Sequence, residues 1–353
     1  MLDIEKIKEM KILYIDDQGT DSLKLDLEKY GFDVETSDAG EFNSTLAKIN
    51  EDFDAYVMDF ELSACGTGMV DAPTYASTIR TFGQNHKDSP IVLISSDQKI
   101  HQFKQDFSSL DLFDKIITKE EFSQKLSKYS KQIEALVNAY KTIKNTDFDI
   151  CKMLVMDAGE TIDFRLQNLI SSFRYNQDVY GCSRIILETV VRSVGMLVGK
   201  DLIAARFGID KTCDDFGSFL EHIGKYKYKG LFSSAYERWW WNGVMAFWND
   251  ISEKQSLRRL DATERVAILN SKLGLKLVPA TPIKNNFSSY FWTYCKGSLL
   301  PLDPSEGYVL MQKELKPWQE EEYISLDYAL ETPSVRKYLT PTARKEILAY
   351  GKK

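Results

Sequence analysis

The sequence predicts an α/β protein with a doubly wound, five-stranded parallel sheet in its first half and a mainly helical, Trp-rich second half. Short β-rich runs alternate with helical stretches up to about residue 146, and the alternation then stops. Residues 1–146 hold 17 Lys and Arg against 26 Asp and Glu (net −9), whereas the remainder holds 28 against 26 (net +2). At 353 residues the chain exceeds one ordinary domain. We therefore expect two domains, 1–146 and 147–353.

The strands of the first half are predicted from apolar runs. Four of the five runs are nearly continuous in apolar residues, as strands covered on both faces require. The segments between them show helical spacing, as at Leu23, Leu27 and Tyr30. Gly31 falls where a helix would end, and Pro90 opens a strand. The predicted strands are KILYI (11–15), FDVET (32–36), DAYVMD (54–59), PIVLIS (90–95) and DKIIT (114–118), followed by a long helix over 120–145.

Longer helical patterns fill the second half. Asp261, with Glu264 three residues later, is a plausible cap for one of these helices. The region 274–310 is rich in proline and is predicted to be irregular or short-stranded. The acidic triplet 320–322 is interpreted as the start of a solvated helix. The helices are predicted at 162–173, 183–198, 215–226, 233–248, 262–273 and 341–350.

Polar residues follow the predicted strands of the first half. Asp16 and Asp17 end the first run, Asp59 the third and Ser95 the fourth, and Lys119 follows the fifth. Ligands of such sheets bind at the carboxyl ends of the strands, so these side chains are expected to converge there. Crowded carboxylates repel one another unless a hard divalent cation such as Mg²⁺ shares their oxygens. The pattern predicts a site for a phosphoryl group, with an aspartate as nucleophile.

In these residues, positions 1 to about 146 resemble a response-regulator receiver domain of the CheY kind. The resemblance implies a flavodoxin-like strand order, 2-1-3-4-5. It further implies Mg²⁺ as cofactor and a sensor kinase or small-molecule phosphodonor as partner. The roles it implies are phosphoacceptor for Asp59, metal ligands for Asp16, Asp17 and Asp59, a metal-binding backbone carbonyl for Glu61, and phosphoryl contacts for Ser95 and Lys119.

The sequence also departs from the receiver pattern. The segment after Asp59 is longer than usual and contains Gly66 and Gly68. Ile116 stands where the family has its switch aromatic, and Glu120 stands where a proline usually follows the lysine. The resemblance therefore implies a complete phosphoryl site that lacks the aromatic residue of the family's usual hydroxyl–aromatic coupling.

The stretch YERWWWNGVMAFW (236–248) dominates the second half. If it is helical, three consecutive tryptophans point in three directions, which favours burial on most sides. The alternatives are a surface for an unidentified protein partner and a stacking platform for single-stranded nucleic acid. The candidate partner-binding residues are Trp239, Trp240, Trp241 and Trp248.

Several classes of protein are disfavoured. Five cysteines (65, 151, 182, 213 and 295) and three histidines (86, 101 and 222) lack the spacing of a zinc site, so we expect reduced thiols. The beginning of the chain lacks a secretory pattern and no run is long and apolar enough to span a membrane, so we expect a cytoplasmic protein. We find no other catalytic motif, and self-phosphorylation of Asp59 is the only chemistry predicted.

The predicted function is response-regulator-like signalling, in which phosphoryl acceptance on Asp59 changes partner binding or output by the second half. The main alternative is a degenerate receiver that serves as a non-catalytic assembly subunit. An unrecognised enzyme or a nucleic-acid-binding second half are weaker alternatives, since neither half is strongly basic. The family also suggests a homodimer.

Overall fold

The computed structural model describes residues 10–16, 21–39, 42–49, 51–60, 62, 71–81, 88–96, 110–156, 161–312 and 314–351. These residues form two compact units. The first is drawn from Met1–Met153 and Ile170–Ile185, and the second from Leu154–Leu169 and Ile186–Lys353. The domain boundary near residue 146 stays a prediction.

The first unit is built on five parallel strands, β1 (Met10–Asp16), β2 (Phe32–Asp38), β3 (Ala55–Met58), β4 (Ile91–Ser95) and β5 (Lys115–Thr118). They pair in the order β2-β1-β3-β4-β5. Every residue of β3 and β4 is buried, as expected of inner strands covered on both faces. The predicted parallel sheet and its flavodoxin-like order are therefore confirmed.

Helices flank this sheet and make up much of the second unit. The α-helices are α1 (Asp21–Glu28), α2 (Phe42–Ile49), α3 (Ala72–Thr81), α4 (Lys119–Gln124), α5 (Leu126–Asn145), α6 (Ile150–Leu154), α7 (Phe164–Asn176), α8 (Val179–Ile186), α9 (Lys200–Phe207), α10 (Phe216–His222), α11 (Trp241–Ile251), α12 (Ala262–Leu273), α13 (Leu326–Glu331) and α14 (Pro341–Tyr350). Short 3₁₀ turns lie at Leu110–Leu112, Gly224–Tyr226, Leu257–Arg259, Pro304–Glu306 and Pro333–Tyr338, and a π-helix lies at Leu187–Val191. None of the helices formed by the described residues has both the length and the apolar character needed to cross a bilayer.

A buried ionic cluster lies at the start of β5. The Asp114 carboxylate accepts hydrogen bonds from Arg80 Nη2 (2.7 Å), the Tyr140 hydroxyl (2.6 Å) and the Ile91 backbone N–H (2.8 Å). The Arg80 guanidinium also lies 4.0 Å from the centre of the Tyr180 ring on α8. Burial and the neighbouring carboxylate raise the pKa of Tyr140 well above its usual value, which keeps this hydroxyl a donor. One carboxylate thus connects α3, β4, α5 and, through Arg80, α8.

The second unit has an aromatic core. Phe207 on α9 and Trp248 on α11 are fully buried, with ring centres 5.8 Å apart in an edge-on arrangement. Phe219 on α10 lies 5.1 Å from Phe207. The Trp248 indole N–H donates to the Gln255 carbonyl at 2.7 Å, so the buried polar atom is satisfied.

Two fully buried arginines connect this core to irregular segments. Arg206 Nε donates to the Trp292 carbonyl (3.1 Å), and its guanidinium lies 4.4 and 4.7 Å from the Trp241 and Trp292 rings. Arg265 Nη1 donates to the carbonyls of Arg206 (2.9 Å) and Phe291 (2.7 Å). Burial lowers the pKa of Arg265 to about 10. These bonds fix segments that lack regular secondary structure.

The second half departs from prediction at two helices. Of the helix predicted over 183–198, residues 183–186 belong to α8, and the chain then continues as the π-helix at Leu187–Val191 and strand β6 (Leu197–Val198). The helix predicted over 233–248 begins only at Trp241, because the preceding strand β7 (Trp239–Trp240) pairs antiparallel with β6. Aromatic residues suit strands, and this pairing is non-local, so helical periodicity gave the wrong result.

Of four other predictions in the second half, three are confirmed and one is wrong. Helix α12 has its capping box, since Asp261 and Glu264 exchange side-chain and backbone hydrogen bonds of 2.8 and 2.9 Å. Helix α14 spans the predicted residues. The region 274–310 holds only β8 (Thr293–Tyr294), β9 (Pro301–Leu302), β10 (Tyr308–Val309) and a 3₁₀ turn. The acidic triplet 320–322 precedes strand β11 (Tyr323–Ile324), so the predicted helix start is wrong.

The Asp114 cluster provides the first prediction. Asp114→Asn removes the only carboxylate that contacts Arg80 within the described residues. Because the Arg80 side chain is only 13% exposed, we expect a loss of about 3 kcal/mol in the free energy of unfolding. Asp111→Asn is the control, because its exposed ion pair with Arg184 should contribute less than about 1 kcal/mol. Hydrogen exchange of the β4 and β5 backbone amides at increasing urea concentrations measures the loss of stability in both variants. Equal effects of the two substitutions would contradict the assigned role.

Candidate functional site

Three charged side chains meet at the carboxyl edge of the sheet. Asp16 is the last residue of β1, Asp59 directly follows β3, and Lys119 directly follows β5 as the first residue of α4. The Thr118 hydroxyl accepts the Glu121 N–H at 3.0 Å and caps α4, which fixes the backbone from which Lys119 extends. Strand ends therefore determine where the charges lie.

The lysine bridges the two carboxylates. Lys119 Nζ donates to Asp59 Oδ2 at 2.6 Å and lies 3.9 Å from Asp16 Oδ2. The side chains of Asp16 and Asp59 are only 2% and 6% exposed, whereas that of Lys119 is 45% exposed. Two nearly buried negative charges thus face one partly solvated positive charge.

Backbone and side-chain donors hold the carboxylates in place. The Phe60 N–H donates to Asp59 Oδ1 at 2.7 Å, and the Asp59 N–H donates to the Ile15 carbonyl at 3.1 Å. The buried Tyr14 hydroxyl donates to Asp16 Oδ2. Sequence reasoning missed Tyr14. A signal was present, because residues i and i+2 of a strand share a face, so a tyrosine two positions before Asp16 can reach it.

A fourth predicted residue contributes an unsatisfied hydroxyl. Ser95 ends β4, pairs in register with Thr118 of β5, and is completely buried. Its Oγ has no hydrogen-bond partner within the described residues. Burying a hydroxyl group without a hydrogen-bond partner costs free energy. The Ser95 Oγ therefore indicates a position where an oxygen atom of a ligand or water can accept a hydrogen bond from this hydroxyl.

The charge pattern fits a hard divalent cation. Two buried carboxylates and one lysine leave the pocket with net negative charge, and carboxylate oxygens are the donors that Mg²⁺ prefers. Of the predicted metal ligands, Asp17 and Glu61 lie outside the described residues. The described part of the chain contains no group of three acidic, His or Cys side chains able to hold a metal. Asp16 and Asp59 are therefore the placed portion of the predicted ligand set.

The positions that depart from the receiver pattern are also placed. Ile116 lies within β5 and packs, partly buried, against the core of the sheet. Glu120 is exposed on α4 and accepts a hydrogen bond from Gln124 at 3.0 Å. Gly66 and Gly68 lie outside the described residues.

The candidate partner-binding tryptophans lie mostly in the core of the second unit. Trp239, Trp240 and Trp248 are 2%, 4% and 0% exposed. Trp241 is half-buried, and the Arg206 guanidinium lies 4.4 Å from the centre of its ring. These positions fit the core interpretation. His222 is exposed, whereas His86 and His101 lie outside the described residues.

No protein-family model and no curated protein sequence matches the chain. Among solved structures it is similar to a CheY-like receiver domain from Methylobacillus flagellatus (22% identity, 31% of this chain and 86% of that one, TM-score 0.26). It is also similar to the receiver domain of a Pseudomonas aeruginosa sensor histidine kinase with magnesium in its active-site cleft (16%, 37% and 98%, 0.30). A third match is a Thermotoga maritima response regulator in complex with Mg²⁺ and beryllofluoride (21%, 35% and 98%, 0.28).

The strand order gives the first unit the flavodoxin-like fold, and Asp16, Asp59 and Lys119 lie together at the carboxyl edge of its sheet.

The charge balance of the pocket gives a second prediction. Lys119→Met leaves Asp16 and Asp59 without their shared cation, and we expect the free energy of unfolding without divalent ions to fall by about 1–2 kcal/mol. Mg²⁺ should restore more stability to this variant than to the wild type, because the ammonium no longer competes for the same oxygens. Thermal unfolding with and without Mg²⁺ measures this. Lys29→Met, at an exposed ion pair, is the control, and an equal Mg²⁺ response in all three proteins would contradict the assignment.

Proposed function

We propose that the chain is a response-regulator-like signalling protein in which Asp59 accepts a phosphoryl group with Mg²⁺ bound beside it. The observation that carries this proposal is the contact of 2.6 Å between Lys119 Nζ and Asp59 Oδ2 within a mostly buried, acidic pocket. If Lys119 and Asp59 formed only a structural salt bridge, the pocket would not need a second buried carboxylate beside them. Asp16, 3.9 Å from the same ammonium, makes the pocket too negative for one lysine to balance.

In the proposed reaction, an Asp59 carboxylate oxygen forms a bond to phosphorus while the donor's own bond to phosphorus breaks. The leaving group of the donor takes the electron pair. Lys119 then moves from the Asp59 carboxylate to the phosphoryl oxygens, and the Ser95 hydroxyl donates to another of them. The donor is a sensor kinase or a small-molecule phosphodonor.

Asp16 and Asp59 would hold the magnesium ion, together with Asp17 and the Glu61 backbone carbonyl that the receiver pattern assigns. The bound ion would supply positive charge that offsets the charge of the phosphoryl oxygens. The buried Tyr14 hydroxyl orients the Asp16 carboxylate by donating a hydrogen bond to it. The Phe60 N–H does the same for Asp59 Oδ1, leaving Oδ2 toward Lys119.

Contacts along β5 connect the pocket around Asp59 with helix α8. Strand β5 is four residues long and has Lys119 after one end and Asp114 before the other. Asp114 binds Arg80, whose guanidinium lies over Tyr180 of α8. Movement of Lys119 toward a phosphoryl group would shift β5 and alter this cluster. We propose that the signal leaves the receiver through α8, which suits a chain with Ile116 in place of an aromatic switch.

Phosphorylation of Asp59 gives a third prediction. Incubation with Mg²⁺ and acetyl phosphate or phosphoramidate should add one phosphoryl group to the wild type, and hydroxylamine should remove it. Asp59→Asn should remain unmodified, because the amide is a poor nucleophile, whereas Asp33→Asn, an exposed aspartate of β2, should behave as the wild type. Intact-protein mass spectrometry measures each species.

The proposal fails if the wild type gains no phosphoryl group, or if Asp59→Asn gains one equally well. The first result would leave the receiver as a non-catalytic assembly module. In that case Asp59→Asn should also leave complex formation unchanged in a pull-down.

A further inference from the structure

The second unit contains a polar cleft that the receiver chemistry does not use. Its volume is about 500 Å³, which suits a small metabolite. The charged residues that line it are three carboxylates, Glu188, Glu320 and Glu322, and three cations, Arg192, Arg238 and Lys296. Tyr236 and Tyr294 add aromatic faces and hydroxyl groups.

The three carboxylates of the cleft are already paired. Glu188 binds Arg192 Nη1 at 2.6 Å, and Glu322 binds Lys296. Glu320 accepts a hydrogen bond of 2.6 Å from Nη2 of the buried Arg206, which approaches from the core. The acidic triplet of the sequence therefore contributes two residues to this cleft instead of starting a helix.

Arg238 differs from the other two cations. Its Nε and Nη1 donate to the backbone carbonyls of Val191 (2.6 Å) and Glu237 (3.0 Å). Within the described residues no carboxylate lies at ion-pair distance from Arg238, and Nη2 makes no hydrogen bond. A partly buried guanidinium bound only by neutral carbonyls retains its positive charge toward the cleft.

The surroundings of Arg238 also favour an anion. Its Nη1 lies against Gly199, the N-cap of α9, where even a Cβ atom would come within 2.8 Å of it. The positive end of a helix dipole repels a cation. Asp201 in the first turn of α9 attracts Arg238, but it is already bound to Lys211 Nζ at 2.6 Å, so Arg238 can still gain from an anion in the cleft. Burial, which disfavours the charged form of the guanidinium, lowers the pKa of Arg238.

One wall of the cleft is irregular in a way that is common at functional sites. Glu188 lies in the π-helix at Leu187–Val191, closed by the 2.9 Å bond from the Arg192 N–H to the Leu187 carbonyl. Single π turns within α-helices occur often at binding sites. This turn places Glu188 and Arg192 on the same cleft.

We propose that this cleft binds a small hydroxylated molecule carrying one oxyanion, which pairs with Arg238 while its hydroxyl groups donate to the cleft glutamates. A phosphate ester and a carboxylate share this chemistry, since either offers two oxygens to the guanidinium fork. Each glutamate of the cleft is already paired with a cation, which leaves Arg238 as the cleft cation without a carboxylate partner among the described residues. This balance favours a ligand with a single anionic group over a polyanion such as nucleic acid.

Matched pairs of probes test the proposal on the full chain. Glucose 6-phosphate is compared with glucose, and galacturonate with galactose, by calorimetry and by the thermal unfolding of tryptophan fluorescence. All six tryptophans lie at or beyond residue 239, so this fluorescence reports on the second unit. We expect at least one anionic probe to bind and its neutral partner to bind at least about tenfold more weakly. The two pairs distinguish a phosphate from a carboxylate ligand.

Three variants locate the binding. Arg238→Gln should weaken the binding of the anionic probe at least about tenfold. Arg259→Gln, which changes an exposed arginine outside the cleft, should leave this binding unchanged. Glu322→Gln keeps an acceptor oxygen for a ligand hydroxyl group but frees Lys296 from its carboxylate partner, so it should strengthen binding of the anionic probe, a gain that unfolding cannot produce. No binding by any probe, equal loss in both arginine variants, or no gain in Glu322→Gln would overturn the proposal. Asp59→Asn should leave this binding unchanged, which separates it from the receiver chemistry.

Discussion

The receiver site depends on an electrostatic imbalance that the fold imposes. Parallel strands bring Asp16 and Asp59 to the same sheet edge, and the packing around them leaves both carboxylates almost without solvent. Burying like charges together is unfavourable, and a single half-exposed lysine offsets only part of that cost. The fold can maintain this arrangement because the Tyr14 hydroxyl and the Phe60 N–H bind the same carboxylates. A pocket of this kind favours a further cation.

The same sheet connects this imbalance to a second buried charge. Asp114 and Lys119 flank the short strand β5, so only four residues separate the Asp59 pocket from the Asp114 cluster. At the far end, a buried carboxylate holds Arg80, and Arg80 packs on an aromatic ring of α8. Buried ionic clusters are sensitive to small shifts, because the attraction between the ions offsets the cost of their desolvation only when their geometry is good. If Asp59 is phosphorylated as proposed, this cluster would provide a means of coupling without an aromatic residue at position 116.

Much of the first unit could be predicted from the sequence, because its signals are local. Each buried strand appears as a short apolar run, and the residue after each run lies at the sheet edge by topology alone. Tyr14 was missed because a tyrosine in an apolar strand looks like a core residue until its hydroxyl is placed. The second unit was less predictable. Trp239 and Trp240 form a strand by pairing with Leu197 and Val198, some forty residues earlier.

Buried arginines explain further differences between sequence and structure. Arg206 and Arg265 look like surface residues in a helical pattern, yet both are fully buried and bind backbone carbonyls of irregular segments. No local pattern predicts such bonds, since the carbonyls come from distant parts of the chain. The cleft around Arg238 was missed for the same reason. Its charged residues come from four separate stretches, and only the tertiary structure shows which cations have carboxylate partners.

The central claim is that Asp16 and Asp59 share one pocket with Lys119 and can together ligate a divalent ion. A crystal structure of the chain grown with Mn²⁺ and beryllofluoride tests it most directly, because manganese gives an anomalous signal at its own position. The account predicts one anomalous peak bonded to oxygens of both carboxylates, with the fluoride adduct on Asp59 touching Lys119. A well-ordered pocket without that peak, or a peak bonded to neither carboxylate, would contradict it.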